Sequence, residues 1–374
     1  MPSEFKVTPW EVTGEVDYNK LIKQFGTQHL TGDLLKKIEK SAGCKNHMLR
    51  RKIWFSHRDL DKTLAEHEKG QKFALYTGRG PSGHTHLGHL VPWIFTKYLQ
   101  NAFDCEFYFM ITDDEKFLYQ PKLTLKETNL LARDNACELI ALGFNPDKTH
   151  IIIDTEYSKT LYNTALEIAK KVTASTAKSV FGFTNDTNIG LYFWPAMQAA
   201  PCFLPSILSG KKQRVLIPAA IDQDPYWRIA RDVAPKLGLP KPAAMHCIFL
   251  PALTGPSGKM SSSIGKESTI FTTDDEKTVR KKVMKYAFSG GKDTVEEHRR
   301  YGGNPDIDVS YQWLTFFEES DEKLKQIYND YRSGKLLSGE LKQILVDKLN
   351  AFLKVHQKKK KKAEKQLDKF LLKD

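Results

Sequence analysis

Two histidines three positions apart, His86 and His89, have the type and spacing to do chemistry. On a helix they lie one turn apart and aim at the same place. Imidazole N–H groups at a helix start add to the free backbone N–H groups there, a combination that binds phosphate. Gly88 between them leaves a bare surface on which a flat base can lie. Further on, Gly258-Lys259-Met260-Ser261-Ser262-Ser263 suits a loop that closes on a phosphate. The lysine brings a point charge, and the serine hydroxyls and amides bring donors. Either stretch alone is weak, because a histidine at a helix start is more often a cap and a lysine among serines is commonly a plain surface loop. Together, in this order, they are strong evidence for a nucleotide site.

The elements that must position them can be read outward from the first stretch. Phe73-Ala74-Leu75-Tyr76 reads as a buried strand, halted by Thr77-Gly78-Arg79-Gly80-Pro81, and a helical pattern runs over 90–99. Strand, glycine-rich turn and helix start are the geometry in which open α/β sheets hold phosphates. The alternation then repeats. Strands are expected at 105–111, 150–153, 215–217 and 246–250. Helices are expected at 124–142, with a Thr124/Glu127 capping box, and at 161–172, 195–208 and 225–237. Residues 173–193 read as an irregular insertion. The expected fold is α/β, a doubly wound parallel (Rossmann-like) sheet with a C-terminal all-helical domain. Ligands of such sheets sit at the carboxyl ends of the strands. That rule gathers 77–89, 113–116, 222–224 and 259–263 around one crevice.

Residues 1–70 read as an N-terminal helical extension packing on the outside of the sheet, with helices at 18–25, 32–40 and 56–70. Residues 71–273 form the α/β domain and 274–374 a helical one, with helices at 277–288, 311–317, 322–331, 338–356 and 363–372. The run Lys358 to Lys362 reads either as a solvated helix face or as a contact for a nucleic-acid backbone.

Bulk composition narrows the class. The chain has 374 residues, 40% of them hydrophobic, and a net charge of +12. With a pI near 9.2, the surplus favours a polyanionic partner. Cys44, Cys105, Cys137, Cys202 and Cys247 are scattered without metal-ligand spacing, which points to buried thiols in a reducing compartment. The first residues do not read as a signal or transit peptide, and no apolar run is long enough for a membrane span. A cytoplasmic protein is expected.

The two signatures, His86-Leu87-Gly88-His89 and Lys259-Met260-Ser261-Ser262-Ser263, resemble those of class I aminoacyl-tRNA synthetases. Tyr76-Thr77-Gly78-Arg79-Gly80-Pro81-Ser82, Thr112-Asp113-Asp114-Glu115-Lys116, Ala220-Ile221-Asp222-Gln223-Asp224-Pro225-Tyr226 and Ala287-Phe288-Ser289-Gly290-Gly291 resemble the eukaryotic and archaeal tryptophanyl-tRNA synthetases. The likeness runs from about residue 71 to the end.

That resemblance implies a tryptophan–tRNA ligase. Tryptophan and ATP would give tryptophanyl-adenylate and pyrophosphate, and the acyl group would pass to the 3′-terminal ribose of tRNA(Trp). His86, His89, Lys259 and Lys116 are the catalytic candidates. Arg79, Gly80, Gly88, Met260, Ser261 and Ser262 would hold ATP, and Tyr76, Glu115, Gln198 and Gln223 would hold tryptophan. Magnesium would arrive with ATP, with Asp113 and Asp114 not needed as a fixed metal cage. Some relatives carry a polar side chain at the position of Met110 that helps hold the indole nitrogen; here Tyr76 and Glu115 must suffice, or the pocket is built differently. Tyr76 also reads as a plain core aromatic. The helical domain would read the anticodon, with residues 287–303 the best surface. The family implies a homodimer, with Phe181, Phe183, Phe193 and Trp194 either at its interface or in the chain's own core. Competing classes are a tyrosyl-tRNA synthetase, a small-molecule nucleotidyltransferase and a non-catalytic RNA-binding relative.

Overall fold

In the central strands, alternate residues go to opposite sides of one sheet, and both sides are covered. Leu75, Phe107, Phe109, Ile111, Ile151 and Ile153 enter one buried cluster. Ala74, Tyr76, Tyr108, Met110 and Ile152 enter the other. A parallel sheet with helices on both faces requires this doubly apolar pattern.

The computed structural model describes residues 6–7, 12–14, 16–255, 259–260 and 265–374. Its strands are β1 (Lys6–Val7), β2 (Val12–Thr13), β3 (Gln28–His29), β4 (Trp54–Arg58), β5 (Phe73–Arg79), β6 (Phe107–Ile111), β7 (Thr149–Ile153), β8 (Arg214–Ala220) and β9 (Ala243–Cys247). β1 and β2 form a small hairpin, and the other strands form one sheet in the order β3-β4-β9-β8-β5-β6-β7. The five strands from β9 to β7 are parallel. β3 and β4 extend the sheet antiparallel.

That edge corrects the reading of residues 1–70. The segment does not merely pack outside the sheet as helices. The predicted helix 56–70 is strand β4 followed by the helix Leu60–Glu68. The strand was hidden because its buried positions include polar side chains, Ser56 and His57. Ser56 Oγ meets His246 Nδ1 at 3.0 Å, so the polar atom has a partner inside the sheet. The helices Tyr18–Phe25 and Gly32–Ala42 form as expected, each capped by a side chain, Asp17 and Thr31.

The stretch read as irregular is regular for much of its length. It holds the helix Ala174–Phe181, capped by Thr173 and stopped at Gly182, and part of the helix Ile189–Ala199, capped by Asn188. Gly182 and Asn188, two of the residues that suggested irregularity, are its helix ends. Phe181 and Trp194 are buried within the chain, so the core reading holds for those two.

After residue 273 the chain is helical: Glu276–Tyr286, Val295–Tyr301, Val309–Phe317, Asp321–Arg332 and Ser338–Ala363. These helices share their core with the sheet, since one apolar cluster runs from Phe107 and Phe109 through Trp313 to Leu341 and Leu349. The expected last helix, 363–372, is instead a short 3-10 turn, Glu364–Lys369, after which the chain returns to the sheet. Ile151 N donates to Phe370 O at 2.7 Å and Leu372 N to Ile151 O at 2.9 Å, so the last residues cover the open edge of β7. Among the described residues no helix is long and apolar enough to cross a membrane.

Candidate active site

The carboxyl ends of β5, β6, β8 and β9 open onto a cleft of about 360 Å³. His86, Gly88, His89, Arg79, Gly80, Glu115, Lys116, Gln198, Gln223, Lys259 and Met260 all line it. Ser261 and Ser262 lie outside the described residues. Tyr76 is corrected: fully buried, it sits beneath the cleft rather than on its wall. Its hydroxyl donates to Met110 Sδ or to Gln198 O, each at 3.2 Å, and its ring packs edge-on against Trp227.

His86 caps the helix Leu87–Phe103, and its backbone N–H donates to His89 Nδ1 at 3.2 Å. The Arg79 guanidinium stands against His89 Nε2, so the cation and the imidazole lie side by side in the cleft. Burial pushes both imidazoles well below their usual range, with Arg79 and Lys259 adding to the effect. They act as neutral donors at pH 7. Burial also lowers Arg79, to about 10, against the opposing pull of Glu138 and Asp134, so it stays cationic.

Gly80 and Gly88 let neighbouring side chains come close. A Cβ at residue 80 would lie 2.0 Å from Lys116 Cε and 2.7 Å from Glu115 Oε2. One at residue 88 would press on the His86 ring, 3.1 Å from Nδ1.

Beside Gly80, Glu115 Oε2 accepts from Thr112 Oγ1 at 2.9 Å and Oε1 from Lys116 Nζ at 2.8 Å. Asp113 is turned away. It accepts from Thr155 N at 3.1 Å and from Thr155 Oγ1 at 2.6 Å, which ties the helix Asp113–Tyr119 to the end of β7. Asp114 accepts from Glu115 N at 2.6 Å. Burial raises Asp114 to about 6 and holds Asp154, behind it, well above the carboxylate range.

Several residues at the cleft were given no role from the sequence. Asp222 is buried and its Oδ2 meets Lys259 Nζ at 2.5 Å; the strand-end rule brings it to the crevice without saying what it holds. The helix residue Asn135 accepts from Arg79 Nε. Its only sequence signal is a polar side chain on an otherwise apolar helix face. Trp194 and Trp227 add flat walls. Among the described residues, His86 Nδ1, Trp194 Nε1, Gln198 Oε1, Asp222 Oδ1 and Trp227 Nε1 are buried without a hydrogen-bond partner. Orphaned donors and acceptors around one cleft mark a site built for a polar, aromatic ligand.

A helix start carrying two histidines on an open parallel sheet, with Lys259 lining the same cleft, is the arrangement expected of a nucleotide-activating enzyme of the class I type. The chain matches the family of class I tRNA synthetases for tryptophan and tyrosine over residues 68–354. It is 55% identical to the tryptophan–tRNA ligase of Saccharolobus solfataricus over 97% of this chain and 94% of that protein. The crystal structure of tryptophanyl-tRNA synthetase from Plasmodium falciparum superposes with a TM-score of 0.88, at 44% identity over 95% of each chain. A tryptophan-bound synthetase from Encephalitozoon cuniculi gives 0.88 at 37% identity, over 96% of this chain and 98% of that one. The chain belongs to the class I tRNA synthetases and, within them, to the tryptophanyl-tRNA synthetases of archaeal and eukaryotic type.

Proposed function

We propose that this chain, a tryptophan–tRNA ligase, activates its amino acid in the cleft described above and passes it to tRNA(Trp). The observation that carries the residue roles is that His86, His89, Arg79 and Lys259 line one cleft together with Trp194 and Trp227.

The tryptophan carboxylate is ionised at neutral pH, so the first step needs no general base. Its oxygen attacks the α-phosphorus of ATP in line, the bond to the bridging oxygen breaks, and pyrophosphate leaves. The protein's part is to position the reactants and to meet the charge that grows on the phosphate oxygens. His86 and His89 donate there as neutral imidazoles, beside the cationic Arg79. Gly88 supports the adenine, and Gly80 leaves room for Lys116, which lies against it. Lys259 leaves Asp222 for the departing pyrophosphate, with Met260, Ser261 and Ser262 as its partners in that role. Magnesium enters as the ATP complex.

Tyr76 has its hydroxyl engaged beneath the cleft, so Glu115 is the indole N–H acceptor that faces the ligand, and Met110 is tolerated. Gln198, with a free buried Oε1, accepts from the amino group, and Gln223 donates to the carboxylate end.

The helical region takes the anticodon. On the 287–303 surface Phe288, Lys292, Arg299, Arg300 and Tyr301 are all exposed, and Tyr301, 62% exposed, is suited to stacking. His298, a candidate from sequence, is buried with Nε2 on Leu336 O at 3.0 Å and is not part of that surface. A homodimer is supported by the exposed Tyr162, Leu166 and Ile189 beside the insertion, and the cytoplasm is the compartment of translation.

Amino-acid-dependent exchange of pyrophosphate into ATP, with tryptophan and tyrosine in parallel, is the test. Exchange with tryptophan alone is expected. Exchange with neither would overturn the assignment of the cleft.

A further inference from the structure

Glu138 is a fully buried carboxylate in the last turn of the helix Leu125–Ala141, away from the cleft lining. Burying an ionised acid costs more than packing an apolar side chain of the same shape, unless every oxygen finds a donor. Here donors come from two parts of the chain. His356 Nε2 approaches Oε2 at 2.5 Å and Lys360 Nζ approaches Oε1 at 2.7 Å, both from the helix Ser338–Ala363. The Thr272 hydroxyl donates to Oε1 at 2.7 Å.

Thr272 belongs to a strap that follows the lysine signature and runs alongside the histidine one. Thr272 N donates to Thr85 O at 2.9 Å, and Leu87 N to Ile270 O at 3.1 Å. His86 and Phe271 form an isolated antiparallel bridge between them. Thr85 in turn donates through Oγ1 to Asn135 Oδ1 at 3.3 Å, the same oxygen that holds Arg79. The long helix grips the strap a second time, since Gln357 Nε2 donates to Thr272 O at 2.8 Å and to Asp274 O at 2.9 Å. One turn of that helix, residues 356–360, therefore reaches both Glu138 and the strap.

We propose that Glu138 is a positioning residue for the nucleotide end of the cleft. Through Thr272 and Thr85 it fixes the backbone from which His86 and His89 project, and its clamp by His356 and Lys360 makes that backbone answer to the helical region. The inference rests on the assignment of that end of the cleft to ATP. Burial favours the neutral acid, but the His356 and Lys360 contacts hold Glu138 below the usual carboxylate range, so it is charged when it acts. The same carboxylate and Asp134 are the counter-charges that Arg79 feels.

Thr272→Val tests this with little change of shape, removing only the hydroxyl; Glu138→Gln removes the charge. Both are compared with the unsubstituted chain in tryptophan-dependent pyrophosphate exchange, and tryptophan affinity is measured by equilibrium dialysis. Each substitution should lower kcat/KM for ATP by about 10-fold or more, as misplaced catalytic donors do, and leave the tryptophan Kd within about two-fold. Thr272→Ser, which keeps the hydroxyl, should restore the ATP parameters. Unchanged ATP parameters in Thr272→Val would overturn the proposal. So would equal losses toward ATP and tryptophan without rescue by serine, which would describe a brace of the fold. An unsubstituted chain that fails to exchange would overturn the ATP assignment itself, and the proposal with it.

Discussion

Lys259 stands 2.5 Å from a buried carboxylate oxygen of Asp222, and the role proposed for it at a phosphate requires it to leave that partner. The residue is therefore expected to act on the transition state more than on the ground state. Lys259→Ala should slow adenylate formation by roughly 100-fold while tryptophan binding stays nearly unchanged; equal losses in both would remove that role. Asp114 gives a second expectation. It is raised to about 6, whereas an unfolded chain releases that proton near pH 4. Between those values the folded state keeps a proton that the unfolded state has lost, so stability falls as pH rises through the window. Asp114→Asn retains the oxygen that accepts from Glu115 N and should flatten that fall in thermal unfolding measured from about pH 4 to 6. At this scale the sequence was most legible where the chemistry dictates the residue type, as for His86, His89 and Lys259. It was least legible for Asp222 and Asn135, which act by holding another side chain and carry no spacing of their own. Tyr76 was visible as a candidate, but only the packing of β5 against Trp227 could show that its ring lies under the cleft.

Among the elements, apolar strands and capped helices could be read directly, because burial on both faces and a Thr124/Glu127 box leave clear patterns. Strand β4 could not, since its polar Ser56 and His57 find partners only across the sheet and next to the following helix. The lysine run shows the same limit. Lys358, Lys359, Lys361 and Lys362 reach solvent, whereas Lys360 is drawn in to Asp134 at 2.6 Å and to Glu138. Neither of the two sequence readings, solvated face or nucleic-acid contact, fits that one residue. Replacing the other four with glutamine should weaken tRNA binding and flatten its salt dependence, by somewhat under one unit of slope for each phosphate left without its cation. An unchanged slope in a filter-binding titration would leave those four as a solvated face. Lys360→Met should instead lower the melting temperature, because it leaves part of a buried carboxylate unpaired.

For the molecule as a whole, the order of domains was readable but their separation was not. Composition changes at about residue 273, yet the buried cluster continues across that point. Apolar faces in sequence do not say which other face they will meet. The end of the chain illustrates this. Phe370 is buried where the terminal residues run along β7, and Asp374 accepts from Lys159 N at 2.7 Å and from Thr160 N at 3.0 Å. Phe370→Ala should cost about 3 kcal/mol in urea unfolding, as for other large buried side chains. A loss near zero would mean that the edge is closed by its backbone pairing alone.

This return has a mechanical consequence. The helices from 276 to 363 leave the α/β part through the strap and rejoin it on β7, so they form a span fixed at both ends. A body hung from one linker can swing freely; one tied at both ends and sharing an apolar core along its length cannot. A force applied to those helices is therefore carried to the strap beside the histidines at one end and to the edge of β7 at the other.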